Sequence, residues 1–422
     1  MTKLNVLKLQ ESFSFFVKSR NFHHLKVTKC PKLLLLPDAV SSESSIRTFE
    51  IRDVGQVELH GEAISVTGLQ ELNIENSGLV TFHQHALVTA MTQAQSVSVN
   101  VINSLKTVIK PKAFAGLRSF SALNVEELVL EHNAFKLKVP TEEPTINLKF
   151  VNISSPSLSP NVFPSSFNSI TIKNSRIDNV NAKAFSGLFM NNITFDDVSI
   201  NRINREAFSD NTIIGSLTFF RCNISSLSQK SVISGISHFT LDSSEIQSIS
   251  KHGAINATVA TVTISNNRFR TLGQESFQFI SWDTVSINNN TFDFLEEGSL
   301  NAIKSPNEDL KSSFTFTDNL IAKANMRSLL TQIPAHVSAH VAGNRLGHVC
   351  DCKVEQYVRS ITGHSALSSP WVALSALLTN TSRCRLAAHE AACWPAAAPW
   401  APLHSYLATL CVPGQQPPAC AR

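Results

Sequence analysis

Three groups of residues carry side chains that could do chemistry. A lone cysteine, Cys222, stands beside Asn223-Ile224-Ser225 within Gly215 to Gln229. Its sulfur could attack, bridge or ligate, and each role would change what the protein does. Near the C-terminus His336, His340 and His348 precede Cys350 and Cys352, donor types that hold zinc. Asp196, Asp197 and Asp242 supply carboxylates of the kind that work in pairs on glycosidic bonds. Catalytic motifs are missing around them: there is no Gly-x-Ser-x-Gly and no phosphate-cradling Gly-x-x-x-x-Gly-Lys-Ser/Thr, and His389-Glu390 lacks the second histidine of a zinc protease helix. What these residues can do depends on the elements that place them.

Those elements repeat. From Phe167 onward, segments such as "FNSITIKNSRIDNVNAKAF", "MNNITFDDVSINRINREAF" and "VATVTISNNRFRTLGQESF" superimpose without gaps, with a period of about 23 residues. The fourth and sixth places are apolar (Ile170/Ile172, Ile193/Phe195, Leu217/Phe219, Phe239/Leu241), and so are the eleventh and fourteenth (Ile177/Val180, Ile200/Ile203, Ile224/Leu227, Ile246/Ile249). The register continues upstream at Leu72/Ile74, Val97/Val99, Leu128/Leu130 and Leu148/Phe150, and downstream at Phe314/Phe316 and Ala339/Val341, giving about twelve repeats. A weaker first repeat lies at Phe49/Ile51, and "LNVLKLQES" near the start is a candidate for another. Alternation at the fourth to sixth places predicts one short strand per repeat, stacked in parallel. The expected organisation is an uncertain N-terminal segment over 1–44, a repeat array over 45–348 and a C-terminal cap with tail over 349–422.

Composition agrees with a β-rich solenoid. Of the 422 residues, 43% are apolar and only 16% charged, and the net charge is +4. That balance is too mild and too evenly spread for nucleic acid to be the main partner. No apolar run approaches the roughly 18 residues of a spanning helix. The N-terminus lacks the continuous apolar core of a secretory signal, and arginine is too scarce for a mitochondrial transit segment.

The register weighs each reactive group. Cys222 occupies the ninth place, where Asn267, Asn290, Asn319 and Asn344 stand in other repeats, so it reads as a buried, reduced filler. His336 and His340 fall on opposite faces of the last strand and cannot readily share one tetrahedral metal. His83 and His85, in "FHQHAL", read as surface residues of a return segment. Asp196 and Asp242 share the seventh place two repeats apart, roughly 9.6 Å by strand spacing, just beyond an inverting pair. They read as solvated strand acids. The threonine column at the fifth place (Thr171, Thr194, Thr218, Thr240, Thr263, Thr315) suits an exposed strand through β-branching, and the mixed seventh place does not make the second rank that ice binding needs. No metal or cofactor site is expected.

Two architectures share this spacing, a leucine-rich-repeat horseshoe and a right-handed parallel β-helix. Two features point to the horseshoe: the single strong strand signal per repeat, and a recurring Ala/Ser-aromatic pair ("KAFAGL", "KAFSGL", "EAFSDN", "ESFQFI") suited to an irregular or short helical return segment. The third is the C-terminus. "GNRLGHVCDCKVEQYV", then "SRC" and "LHSYLATLC", closely resembles the C-terminal cysteine cap of extracellular leucine-rich-repeat proteins. The resemblance covers roughly residues 45 to 412. It implies an α/β solenoid of the leucine-rich-repeat class, with Cys350 paired to Cys384, Cys352 to Cys411, and Cys393 and Cys420 left for a third bridge. It also implies a secreted or cell-surface setting and a non-enzymatic role in adhesion, signalling or immune recognition. The chain departs from the family in its ladder asparagines, many of them replaced, and in an N-terminal cap reduced to Cys30; with no visible signal peptide, an incomplete start is expected.

The partner implied is a protein, with a second copy of the chain as a further candidate through homophilic association. Interior positions fix the scaffold, and the third, fifth, seventh and eighth places vary. The expected contact residues are Asp196, Asp197, Phe220, Arg221, His238 and Asp242, which combine an aromatic anchor, an arginine and acids. Glycan acceptors fall at Asn152, Asn192, Asn223, Asn256, Asn289 and Asn380, about the number chance predicts. Asn192 and Asn289 lie at or beside the strand face, where a glycan would obstruct part of it. The competing readings are a carbohydrate-active β-helix and a soluble enzyme inhibitor.

Overall fold

A computed structural model describes residues 7–9, 23–40, 46–65, 68–88, 97–137, 146–251, 255–279, 281–300, 312–329, 333, 337–363, 374–387 and 399–411. The chain is a mostly-strand solenoid of about twelve turns with few helices. It divides into two units, residues 1–218 and 219–422.

In the first unit every coil lays a strand in parallel register on the next. Phe49 lies beside Leu72, Leu72 beside Val99 and Val99 beside Phe120. The inward pairs Phe49/Ile51, Leu72/Ile74, Val99/Val101, Ile170/Ile172 and Ile193/Phe195 are at most 1% exposed. Each such aliphatic or aromatic side chain contributes about 1.5–3 kcal/mol on burial. Stacking begins upstream of residue 45, where the sequence placed an uncertain segment: His24–Thr28 pairs with Thr48–Arg52, and Leu7–Leu9 with Lys32–Leu35.

The return path differs from expectation. Instead of one strand per repeat followed by an irregular or helical return, each coil carries a second paired stretch, as in Val57/Leu59 beside Val80/Phe82 and Ile177/Val180 beside Ile200/Ile203. From the third coil the two stretches run as one strand of 12 to 15 residues, as in Glu71–Phe82 and Phe189–Ile203. None of the described residues of this unit is helical. The Ala-aromatic pairs and their aliphatic equivalents form a third side, bridging from Val40 through Ile64 and Leu87 to Phe114, and from Phe163 through Phe185 to Phe208. The rings of Phe114, Phe135, Phe163, Phe185 and Phe208 stack at centroid distances of 5.7, 5.6, 5.1 and 4.6 Å. A flat ring stacked at one strand spacing per coil packs inside the coil, so no helix is needed behind the sheet.

The chain turns between sides on left-handed residues. The eighth place has positive φ at Asn76, Asn103, Asn124, Asn152, Asn174 and Asp197, residue types that tolerate this conformation. A second corner mixes tolerant types, Asp38, His85, Asn133 and Asn161, with less tolerant ones, Glu62, Lys112, Lys183 and Glu206. There the amide of each corner donates to the carbonyl of the next: His85 N to Lys112 O at 2.9 Å, Lys112 N to Asn133 O at 2.9 Å and Lys183 N to Glu206 O at 2.7 Å. These bonds offset a conformational cost of about 1–2 kcal/mol per residue.

The second unit repeats the plan with shorter strands, Gly235–Asp242 and Glu245–Ile249, then Val259–Ser265 and Arg268–Leu272, through to Ser338–Ala342 and Arg345–Val349. Its ninth-place corner is built on buried asparagines. A cap follows, with helices α1 (Val354–Thr362), α2 (Leu374–Thr381) and α3 (Leu403–Leu410) and the strands Arg383–Arg385 and Trp400–Pro402. Val354, Val358 and Ile361 on α1 and Leu374 and Leu378 on α2 are buried. The cap consumes the open edge of the last coil: Arg383 N donates to Asn344 O and Cys350 N to Arg385 O, both at 2.8 Å. Cys350 is bonded to Cys384 and Cys352 to Cys411, the pairing the resemblance implies, and Tyr406 Oη donates to Cys350 O at 3.1 Å. Cys393 and Cys420 lie outside the described residues.

Candidate functional site

The outward faces of the strands hold most of the expected contact residues. In the first unit Lys173 and Asp196 face each other on neighbouring coils, and their side chains form an ion pair at 2.9 Å. Asp197, next to it, is exposed and takes the left-handed corner. In the second unit Asp242 accepts from Ser265 Oγ and Asn266 Nδ2, both at 2.7 Å. Both seventh-place acids thus hold neighbouring coils together. Arg221 also has positive φ, and its guanidinium lies over the Phe220 ring at 4.6 Å, while His238 is exposed on the next strand. The eighth place, expected to be free to vary for a partner, is therefore also constrained by the corner it must form.

Cys222 lies where the register put it. It is 2% exposed and remains a thiol, its amide donates to Ser244 Oγ at 2.9 Å, and its sulfur donates to Phe220 O at 3.4 Å. Five glycan acceptors, Asn152, Asn192, Asn223, Asn289 and Asn380, are exposed, and Asn256 is half-buried. Asn152 and Asn289 are left-handed corners whose Nδ2 groups donate to Asn124 at 3.0 Å and to Asn266 at 2.7 Å. The cap offers no thiolate zinc site among the described residues, because Cys350 and Cys352 are in disulfides. His348 stacks on Tyr357 at 4.3 Å, and His336 lies outside the described residues.

One cluster brings together residues that sequence reading left apart. Glu58 lies on the strand Gln56–Leu59 and His60 directly follows its end, two residues on, so their side chains leave on the same side. His83 takes the place of His60 on the next coil because Leu59 pairs with Phe82. The two imidazoles are stacked, with centroids 4.5 Å apart and planes 9° from parallel. Glu58 Oε1 accepts from Lys32 Nζ at 2.8 Å and from Gln56 Nε2, and Oε2 lies 3.3 Å from His60 Nε2. The ligand atoms of Glu58, His60 and His83 all lie within 4.8 Å of one another, and all three residues are half-buried. The Lys32 hydrogen bond holds the Glu58 carboxyl below its ordinary value, aided by the charges of Lys32 and His60 against a smaller opposing effect of burial. Burial, then the neighbouring charge of His60, lowers His83 below its ordinary value. The signal was present in the sequence as Glu-x-His with a second histidine one period later. In the chain His83 neighbours His85 instead, which sits in a left-handed corner and takes no part in the cluster.

No protein-family profile, curated protein or solved structure matches this chain.

Proposed function

We propose that this chain is a non-enzymatic, extracellular protein-recognition scaffold of the leucine-rich-repeat kind, binding a protein partner on the outward side of its strands. The observation that carries the reading is the use made of the outward polar groups. Asp196 and Asp242, the acids best placed in sequence for catalysis, are tied to Lys173 and to Ser265 and Asn266. A general acid needs a protonated carboxyl in a desolvating pocket, and the Lys173 ion pair works against that state at Asp196. Around these bonds each unit's own outward face still offers such groups, Asp197 in the first and Phe220 with Arg221 in the second, residue types that anchor protein interfaces. The disulfide-bonded cap and the lack of any described helix long and apolar enough to cross a membrane are compatible with an extracellular setting.

A second reading, a carbohydrate-active β-helix, draws support from the paired second strand of each coil and its left-handed asparagine corners. The test that separates them uses the full chain produced under oxidising conditions. Affinity capture from native extracellular fluid should retain a protein, and Phe220→Ala with Arg221→Glu should weaken that complex by at least about 10-fold. Depolymerisation of a polysaccharide that disappears in Asp196→Asn would replace the scaffold reading with the enzymatic one.

A further inference from the structure

The Glu58, His60 and His83 cluster has the chemistry of a metal site that no motif in the chain announces. Its donors are two imidazoles and one carboxylate, a set matched to borderline transition ions. Calcium and magnesium, which take six or more oxygen donors, are poorly served by it. The donors converge through stacking alone, since in-register coils place His83 over His60, and alternation places Glu58 beside it. The carboxylate is also oriented. Lys32 and Gln56 occupy Oε1 and leave Oε2 directed at His60, as outer-shell partners do for ligating carboxylates. Lys110, on the following coil, is engaged by Glu131 at 2.6 Å.

We propose that Glu58 Oε2, His60 and His83 bind one divalent cation of the zinc class, with a fourth position open to water or to a ligand from a partner. Metal–ligand bonds of about 2.0–2.2 Å in a tetrahedron set ligand atoms about 3.4 Å apart. The present spacing, within 4.8 Å, closes to that value by side-chain rotation. The stacked rings must splay as it does so, because each nitrogen lone pair lies in its ring plane. The backbone is held by the Leu59 and Phe82 register and need not move. Lys32 and Lys110 oppose a second positive charge nearby, so binding is weaker than at a closed cysteine site.

The untagged full chain, stripped with chelator, tests this with zinc chloride by calorimetry and with cobalt(II) by visible absorption. One zinc per chain and the absorption bands of tetrahedral cobalt are expected. His60→Ala or His83→Ala should abolish the bands and raise Kd by at least about 10-fold, with Glu58→Gln also weakening binding by about 10-fold. His132→Ala, at an exposed histidine elsewhere on the unit, should change neither. The double variant His60→Asn with His83→Asn, checked for fold by circular dichroism, serves if an alanine variant unfolds. Zinc binding of unchanged stoichiometry and affinity in that variant, calcium binding as tight as zinc, or no zinc binding by the parent would each overturn the proposal.

Discussion

The ninth place of the coil is built differently in the two units. Upstream of Glu71 the first unit has Cys30, half-buried, and Val54 at this place, with the strand broken there. From Glu71 on it reads Ser77, Ser104, Val125, Ile153, Ser175 and Val198, all buried. Backbone pairing runs through the corner there, with Ser77 beside Ser104, Ser104 beside Val125 and Val125 beside Ile153. In the second unit it reads Cys222, Ser244, Asn267, Asn290, Asn319 and Asn344, and the strands break at the corner. The amides of Ser244, Asn267, Asn290 and Asn319 turn instead to the Oδ1 of the next asparagine at 2.9–3.0 Å. The same side chains donate from Nδ2 to Leu241, Ile264, Ile287 and Phe316 carbonyls at 2.8–2.9 Å. The contrast teaches that a buried corner must satisfy its backbone groups, and that either the neighbouring backbone or an amide side chain can do it.

The comparison can be broken most severely at Asn290. Asn290→Ala removes its bonds to Ile264 O, Asn288 O and Asn319 Oδ1 and the acceptor for the Asn267 amide. A loss of about 3 kcal/mol is expected, read as a fall in the urea midpoint of the second unit. The converse change, Val125→Asn, buries an amide among Ser104 and Ile153, where no asparagine column meets it. It should cost about 2 kcal/mol by the same measurement in the first unit, and a neutral result would show that the backbone there needs the amide too. A milder change sharpens the contrast: Ser244→Asn extends the asparagine column by one rung and should stabilise by about 1 kcal/mol or less, with slower exchange of the Cys222 amide. The smallest effect separates charge from ladder. The Glu58 carboxyl has its folded value lowered from 4.5, so its contribution is fully present above that value and fades as pH falls through the lowered one. Protection factors, taken relative to the intrinsic exchange rate at each pH, should fall at Gln56–Leu59 on acidification and stay constant along the Asn267–Asn344 column; Glu58→Gln should remove the dependence.

Much of this architecture was legible in the sequence because a strand buries every second residue. From Phe167 onward Ile170/Ile172 and their equivalents give the first strand and the core directly. Upstream, Val97/Val99 and Leu128/Leu130 are out of register as fourth and sixth places, because Leu72 pairs with Val99 and Val99 with Phe120, while Leu128 and Leu130 lie on the second stretch beside Thr107 and Ile109. The second strand was harder to see. Ile177 and Val180 are three apart, with Asp178 and Asn179 both turned outward, so period two fails there although the backbone still pairs. The Ala-aromatic pairs misled for a related reason: Phe185 and Phe208 are buried whether a helix or a third side of the coil carries them, and apolar identity does not distinguish the two. Cys222 was placed correctly because the register alone decides which corner residue is inside. The eighth place was not, since left-handed geometry constrains Asp197 and Arg221 without any apolar signature. The histidine cluster required the coil register at residues 58–83, upstream of the gap-free repeats, before Glu58, His60 and His83 could be seen as neighbours.

The stacking of equivalent residues also sets how this chain can change length. Asn181 N donates to Leu158 O and Asn204 N to Val180 O, each bond joining a residue to the one just before its counterpart on the preceding coil. Removing a whole period, such as the stretch between Thr171 and Thr194, rejoins matching positions and leaves every inward residue inward. Removing a single residue within Ile170 to Ile172 instead inverts the faces of that strand. Duplication or loss of complete coils is therefore the tolerated form of insertion and deletion in this chain, and frame slips inside a strand are the lethal one.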